Sequence, residues 1–160
     1  VDILADGHLD FDDHVLAELD FVVASPHVAL KQDSAKATDR ILRAIDHRYV
    51  NVIGHPTGRL IGSREGLPLD IDAVTTAAAK SGTALEINSG YPRLDLNDVH
   101  ATAALHAGAM LSINTDAHST DGLAEMTWGL HVARRAWATK KHVINCLPLA
   151  DLKKFLARKR

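Results

Sequence analysis

Short apolar runs alternate along this chain with segments whose apolar residues recur every three or four positions. The runs occupy residues 1–4, 21–24, 49–53, 84–87 and 110–113. Most of them are nearly continuously apolar and rich in Val, Ile and Leu, which is typical of parallel strands buried on both faces. This alternation predicts an α/β fold built on a parallel sheet.

The segments between and after these runs have the apolar spacing of helices. Helices are predicted over residues 34–45, 71–81, 96–107, 123–137 and 149–156, with a further short helix over residues 10–19. Ser34 is the expected N-cap of the first long helix, and Pro148 is expected to start the last one. Gly82 and Gly108 directly follow two of the predicted helices, where a left-handed residue commonly ends a helix.

Composition excludes several classes of protein. The chain has 160 residues, enough for one ordinary domain with its own core. No apolar run reaches the ~20 residues of a membrane span, and no secretory signal is visible, so we expect a cytoplasmic protein without a membrane partner. A single cysteine, Cys146, excludes a disulfide scaffold. The net charge of −2 and the 4% aromatic content give no indication of a general binding surface for nucleic acids.

Histidine and aspartate follow three of the apolar runs. His27 and His55 come directly after the runs that end at residues 24 and 53, and Asp116 and His118 come after the run that ends at residue 113. Because the carboxyl ends of parallel strands meet at one edge, we expect these four side chains to share a metal site. Imidazole with carboxylate suits zinc, manganese or iron.

Each of these residues has a simpler explanation when it is taken alone. A single loop histidine is more often exposed or hydrogen-bonded than a ligand, and Asp116 alone would be a turn or cap residue. His8, which follows the first run, is a weaker candidate ligand. The remaining histidines are expected at the surface or at helix ends: His14, His47, His100, His106, His131 and His142.

Three further polar residues lie beside the same predicted edge and are candidate substrate-binding groups. Arg59 follows His55 closely and has the planar fork that binds phosphate with two hydrogen bonds. Asn88 and Arg93 follow the run at residues 84–87. A structural ion pair is an equally good explanation for either arginine, and a turn position for Asn88.

At these residues the sequence resembles the PHP (polymerase and histidinol phosphatase) superfamily. The matching pieces are residues 1–4, 25–27, 54–56, 86–88 and 115–118, in the family's order and spacing over the whole chain. Within that superfamily the chain most resembles the C-terminal domain of bacterial family X DNA polymerases. The stretches that carry this closer likeness are residues 55–60, 92–96 and 133–145.

The resemblance implies a distorted seven-stranded (β/α)7 barrel with up to three divalent metal ions at its carboxyl mouth. His27, His55, Asp116 and His118 would be metal ligands, with Asp116 and His118 as the catalytic pair. The family's His-x-His motif, a later Asp and His, and a Glu all precede the segment that matches residues 1–4. Residues 1–160 are therefore expected to form the C-terminal part of one PHP domain, strands three to seven, with the rest of a polymerase chain N-terminal to Val1.

The activity that the resemblance implies is manganese- or zinc-dependent phosphoester hydrolysis. A metal would lower the pKa of its bound water, and Arg59 or Arg93 would neutralise the phosphate. The substrate would be a DNA 3′ end, trimmed in the 3′–5′ direction during DNA repair. One alternative is a small-molecule phosphatase of the histidinol-phosphatase type that takes a phosphomonoester. Another is a non-catalytic scaffold domain of a polymerase.

Overall fold

The parallel sheet is present in the computed structural model, which describes residues 1–159 and leaves Arg160 outside that range. Its strands are β1 (Val23–Ala24), β2 (Val52–Ile53), β3 (Ala84–Asn88) and β4 (Leu111–Asn114). All neighbouring strands are parallel, and their order in the sheet is their order in sequence. The α/β class is thereby confirmed. Over the described residues the sheet is open, so the closed seven-stranded barrel stays a prediction.

Two further segments extend the sheet beyond its outer strands. Asp2 forms a single parallel bridge with Ser25 beside β1, and Val143 forms one with Leu111 beside β4. The strand predicted over residues 1–4 is thus reduced to a bridge, because Ile3 also pairs in the antiparallel sense with Leu9 as the chain turns back.

The first two strands are shorter than the apolar runs that predicted them. The backbone N–H of Val22 donates to the side-chain oxygen of Asn51 at 2.9 Å, and the N–H groups of Asn51 and Val52 both donate to the carbonyl of Val22. An amide side chain therefore replaces a backbone partner at this point, and the regular ladder begins one residue later.

Six α-helices accompany the sheet in the described part of the chain. They are α1 (Asp13–Leu16), α2 (Ser34–Asp46), α3 (Ile71–Ser81), α4 (Asp98–Ala107), α5 (Met126–Arg135) and α6 (Leu149–Leu156). The helix predicted over residues 10–19 is shorter than expected, and the one predicted from residue 123 starts with a 3-10 turn over Asp121–Glu125. None of the helices in residues 1–159 is long and apolar enough to cross a bilayer.

Side-chain caps define where the three central helices begin. Asp33, Asp70 and Asn97 each accept a hydrogen bond from a backbone N–H in the first turn of the following helix. The expectation that Ser34 caps α2 is therefore wrong by one residue. Gly82 and Gly108 adopt left-handed φ angles of 77° and 85° after α3 and α4, as the sequence predicted.

The two faces of the sheet bury different kinds of side chain. Leu85, Ile87, Leu111 and Ile113 belong to the main apolar core, which also takes residues from α2 to α5. On the other face, Val52 and Ala84 at the amino ends of their strands pack with Ile144 and Phe155. Towards the carboxyl ends this inner face turns polar, with buried Ser25, Glu86, Asn88 and Ser112. The polar half is where the predicted site lies.

Candidate metal and phosphate site

The loop after β2 holds His55 against the inner face. Gly54 comes so close to that face that an added Cβ would lie 2.3 Å from Ser25 Oγ and 3.4 Å from Glu86 Oε2. His55 itself has a left-handed φ of 29°, an uncommon angle for a residue with a side chain. Its side chain is buried, and its ring lies edge-on to that of His27 with centroids 4.9 Å apart. Two of the predicted ligands are thus neighbours.

Glu86 is the hydrogen-bond acceptor at the centre of this inner face. Its carboxylate accepts from the backbone N–H of His55 at 2.6 Å and from the amide of Asn114 at 2.8 Å. Asn88 is a longer partner at 3.4 Å. Burial raises the pKa of Glu86, and these hydrogen bonds act in the opposite direction. The sequence alone assigned Glu86 no role, although a glutamate inside an apolar run was a signal for one.

Asp95 fixes the next turn of the same loop. It is fully buried, and its Oδ2 accepts from the backbone N–H groups of Thr57 at 3.0 Å and Gly58 at 2.9 Å. Its Oδ1 has no hydrogen-bond partner among the described residues. Burial raises the pKa of Asp95 to about 6. Two buried carboxylates, Glu86 and Asp95, therefore hold the backbone from His55 to Gly58, and the sequence alone assigned a role to neither.

His27 and His118 are each anchored through the same ring nitrogen. Nδ1 of His27 lies 2.6 Å from the Asp2 carboxylate, and Nδ1 of His118 lies 2.7 Å from the backbone carbonyl of Asp116. A carbonyl oxygen and an ionised carboxylate only accept hydrogen bonds, so Nδ1 carries the proton in both rings. In the neutral ring this leaves Nε2 with a free lone pair, the usual arrangement of a metal-binding histidine.

His55 is held in its neutral form. Burial lowers its pKa to about 4, and the positive charge of nearby Arg93 acts in the same direction. Its buried Nδ1 has no hydrogen-bond partner within residues 1–159. A neutral imidazole with an unused nitrogen fits a metal ion, because only the deprotonated nitrogen can ligate.

A cavity of about 390 Å³ brings Asn88, Arg93, Asp116 and His118 together. Arg93 Nε lies 3.6 Å from Asp116 Oδ2, and the Asn88 amide lies 3.4 Å from the same oxygen. Asp116 has a left-handed φ of 55°, so the turn after β4 sets the direction of its side chain. The lining of this cavity includes neither His27 nor His55. The charges of Arg93 and Asp116 nevertheless act on the pKa of His55, so the two histidines and this cavity are close neighbours.

Arg59 lies beside this cavity with its guanidinium already engaged. Its Nε donates to the carbonyl of Arg93 at 2.9 Å, and its Nη2 donates to the carbonyl of Leu94. The side chain therefore braces the loop that carries Arg93. The alternative of an ion pair, left open for Arg59 by the sequence, gives way to these backbone contacts.

Most of the other histidines lie at the surface or near helix ends, as the sequence predicted, but His100 in the first turn of α4 is half-buried and its Nδ1 has no hydrogen-bond partner within residues 1–159. His8 is exposed and pairs with Asp6 at 3.1 Å. His47 pairs with Asp13 at 3.1 Å just after α2, and His142 accepts a hydrogen bond from the backbone N–H of Thr139. The remaining four lie within helices: His14, His100, His106 and His131.

The predicted ligands do not form a complete metal site by themselves. Over residues 1–159, no three His, Cys, Asp or Glu side chains converge closely enough to hold a metal ion. A divalent cation fits the imidazole and carboxylate donors, the anchored Nδ1 atoms and the neutral His55. The number of ligands that converge is too small for a complete site. The chain therefore presents part of a ligand set.

The chain, an α/β structure with histidine and aspartate at the carboxyl edge of a parallel sheet, is similar to proteins named as probable phosphatases. The chain is 31% identical over 162 residues to a probable phosphatase of Shewanella sp. (strain MR-4). It is 29% identical over 164 residues to another probable phosphatase, of Thermoanaerobacter sp. (strain X514). These alignments cover 96% and 97% of the chain, and 62% and 64% of the phosphatases.

A higher similarity connects the chain with a polymerase. It is 45% identical over 158 residues, or 99% of its length, to the DNA polymerase/3'-5' exonuclease PolX of Bacillus subtilis (strain 168). The chain spans 28% of that protein. No protein-family model matches the chain.

Proposed function

We propose that this chain is a metal-dependent phosphoesterase domain that trims DNA 3′ ends in a PolX-type protein, with a role in DNA repair in the cytoplasm. The observation that carries the proposal is the set of three imidazoles that each keep a ring nitrogen available. Two of them are anchored through Nδ1, and the third, His55, is buried and neutral. The name of the PolX relative, a 3'-5' exonuclease, supports the choice of reaction.

The proposed fold is an arc of a PHP-type (β/α)7 barrel. The sequential order of parallel strands, with one helix after each, is the winding of an α/β barrel. His27, His55, Asp116 and His118 would hold a divalent ion, Mn²⁺ or Zn²⁺, together with ligands from outside residues 1–159. When bound, the ion would activate a water molecule and offset the negative charge of the phosphate.

The residues of this chain have separate tasks in the proposal. Asp2 fixes the tautomer of His27, and Glu86 fixes the backbone position of His55. Arg93 is the group best placed to neutralise a phosphate, because its buried Nη1 has no acceptor among the described residues. Asn88 donates towards Asp116 and lies in the same cavity. Arg59 supports substrate binding through the carbonyl groups of the Arg93 loop.

Replacing Asp116 tests this proposal in the protein of natural length. Asp116→Ala should abolish manganese-dependent shortening of a DNA strand from its 3′ end, and should leave nucleotide addition by a polymerase core unchanged. Asp121→Ala is the matched control, since Asp121 is an exposed aspartate in the same segment. Trimming that survives Asp116→Ala would refute the proposal.

Hydrolysis of a small phosphomonoester is the second candidate function. The relatives named as probable phosphatases favour it, and so does the cavity of about 390 Å³, which is large enough for a small phosphorylated metabolite. The kcat/KM values for p-nitrophenyl phosphate and for a DNA 3′ end distinguish the two functions. A small-molecule phosphatase would have the higher value for p-nitrophenyl phosphate, and a 3′-end trimming enzyme the higher value for DNA. A non-catalytic scaffold is favoured only by the incomplete ligand set, and it predicts that the protein of natural length binds no metal.

A further inference from the structure

Basic residues are concentrated in the last part of the sequence. Residues 126–160 hold nine of the 18 Lys and Arg residues but only one of the 20 Asp and Glu residues, Asp151. The small net charge of −2 therefore conceals a basic C-terminal segment and an acidic remainder. Such asymmetry within one chain is a known sign of contact with a polyanion.

The fold brings this basic segment to the amino edge of the sheet. Val143 pairs with Leu111, the first residue of β4, so the preceding 3-10 turn with Lys140 and Lys141 lies at that edge. In the same region, Ile144 and the α6 residue Phe155 pack against the amino ends of β2 and β3. Lys153 and Lys154 are carried by α6 and are exposed to solvent.

Two more cations join the same edge from other elements. An added Cβ on Gly82, at the end of α3, would lie 3.5 Å from Arg158 Cδ, so the last turn of α3 with Lys80 lies beside Arg158. We define the basic surface as six exposed residues: Lys80, Lys140, Lys141, Lys153, Lys154 and Arg158.

The acidic groups near this surface are few among the described residues. Asp151 pairs with Lys154 at 3.1 Å, Asp20 lines a surface groove together with Lys153, and the exposed Asp46 lies near enough to Lys159 to act on its pKa. Lys159 does not add to the surface, because its Nζ points inward and donates to the carbonyls of Ile45 and Val50. The six residues of the basic surface are exposed to solvent.

We propose that the basic surface binds the sugar-phosphate backbone of a nucleic acid, at the opposite edge of the sheet from the candidate metal site. Exposed lysines on several elements make ionic contacts that do not depend on base sequence. The choice of nucleic acid among polyanions rests on the proposed function, in which DNA is the substrate. The basic surface would be a second contact with the substrate strand, at a point some nucleotides away from the end that reacts.

The separation of the two sites sets a length requirement. The five residues of β3 span about 16 Å from one edge of the sheet to the other. One strand of a duplex covers that distance in about five nucleotides. Strands longer than this can contact both the cavity and the basic surface, whereas a di- or trinucleotide reaches the cavity alone.

A binding measurement tests the surface without any hydrolysis. Fluorescence anisotropy of a labelled 20-base-pair DNA is followed in EDTA over a range of salt concentrations, with the protein of natural length. Lys140→Glu/Lys153→Glu should weaken binding about tenfold and flatten the slope of log K against log salt by about 2, because each of the two lysines neutralises one phosphate. Lys31→Glu/Lys36→Glu changes the net charge equally and should keep the slope within about 0.5 of the unmodified protein.

Equal weakening of binding in the two double variants would overturn the proposal, because net charge and not the basic surface would then govern binding. Binding to anionic lipid vesicles with no binding to DNA would overturn it as well.

Kinetics provides a second test: Lys140→Glu/Lys153→Glu should raise KM for a 20-nucleotide strand and leave KM for a trinucleotide and both kcat values unchanged. Loss of trimming with binding intact would refute only the proposed function.

Discussion

Glu86 is a buried carboxylate that accepts hydrogen bonds from the loop after β2 and from the end of β4. Both of its oxygens accept, from the His55 backbone on one side and the Asn114 amide on the other. In Glu86→Gln one of these donors would face an NH₂ group, so we expect a loss of about 1–3 kcal/mol in the free energy of unfolding. Urea denaturation measures this loss, and Glu65→Gln at an exposed position is the control, with a change within about 0.5 kcal/mol. Equal stability in both variants would mean that Glu86 does not hold the loop.

Asp95 should make stability depend on pH in mild acid. Burial raises its pKa to about 6 from an ordinary 3.8, so between these values the folded chain binds more protons than the unfolded chain. Its contribution is therefore fully present below about pH 4, and about 3 kcal/mol is lost as the pH rises from there through 6.

Asp95→Asn separates this effect from those of other groups. The amide oxygen can still accept from the N–H groups of Thr57 and Gly58, but the side chain no longer titrates. The unfolding free energy of the unmodified protein relative to that of Asp95→Asn, measured by urea denaturation from pH 4 to 7, should fall as the pH rises and level off above about pH 6. Parallel profiles over this range would contradict the burial of an ionising carboxyl group.

The sequence reveals only some of the residues around the candidate site. His27, His55, Asp116 and His118 are visible because each follows an apolar run, and strand ends can be located from hydropathy. Glu86 and Asp95 were not assigned roles, because their importance comes from backbone N–H groups on a distant loop. A contact across about 30 to 40 positions leaves no mark in a single sequence beyond a charged residue at a buried position.

At the scale of elements, the contact of α5 with the sheet depends on Gly129. An added Cβ would lie 2.0 Å from Ser89 Oγ and 2.8 Å from Ile113 Cγ2. Helix propensity alone predicts that Gly129→Ala stabilises the protein by about 1 kcal/mol. The close approach predicts the opposite sign, a loss of about 1–3 kcal/mol.

Thermal unfolding of Gly129→Ala decides between these two signs. Adding Ser89→Gly removes the nearest side-chain atoms and should recover part of the loss. A higher melting temperature for Gly129→Ala alone would mean that α5 lies farther from β3 and β4 than the structure shows.

Hydropathy predicts which elements exist better than where they begin and end. Four of the five apolar runs contain regular strands, and the long helices lie in the predicted segments. The run at residues 1–4 forms only bridges because a strand needs a continuous partner, and Ile3 divides its pairing between Ser25 and Leu9. The N-cap of α2 was misplaced by one residue because Asp33 and Ser34 are both good caps, and only geometry distinguishes them.

At the scale of the whole molecule, the sheet separates two chemically different ends. The carboxyl edge carries the histidines and buried carboxylates, and the amino edge carries the basic surface. Composition did not predict this polarity, since the charges nearly cancel over the chain. The sequence did contain it in the positions of the charges, and the fold was needed to show which of them meet.

The metal content of the protein of natural length tests the central claim most directly. Purified protein is loaded with Mn²⁺ or Zn²⁺ and freed of excess ion by gel filtration. The number of metal ions per chain is then measured by elemental mass spectrometry. At least one ion per chain should remain, and His55→Ala and Asp116→Ala should each reduce the content, whereas Asp121→Ala should not. Absence of metal from the unmodified protein, or equal content in all variants, would contradict a metal site at the carboxyl edge and favour the scaffold.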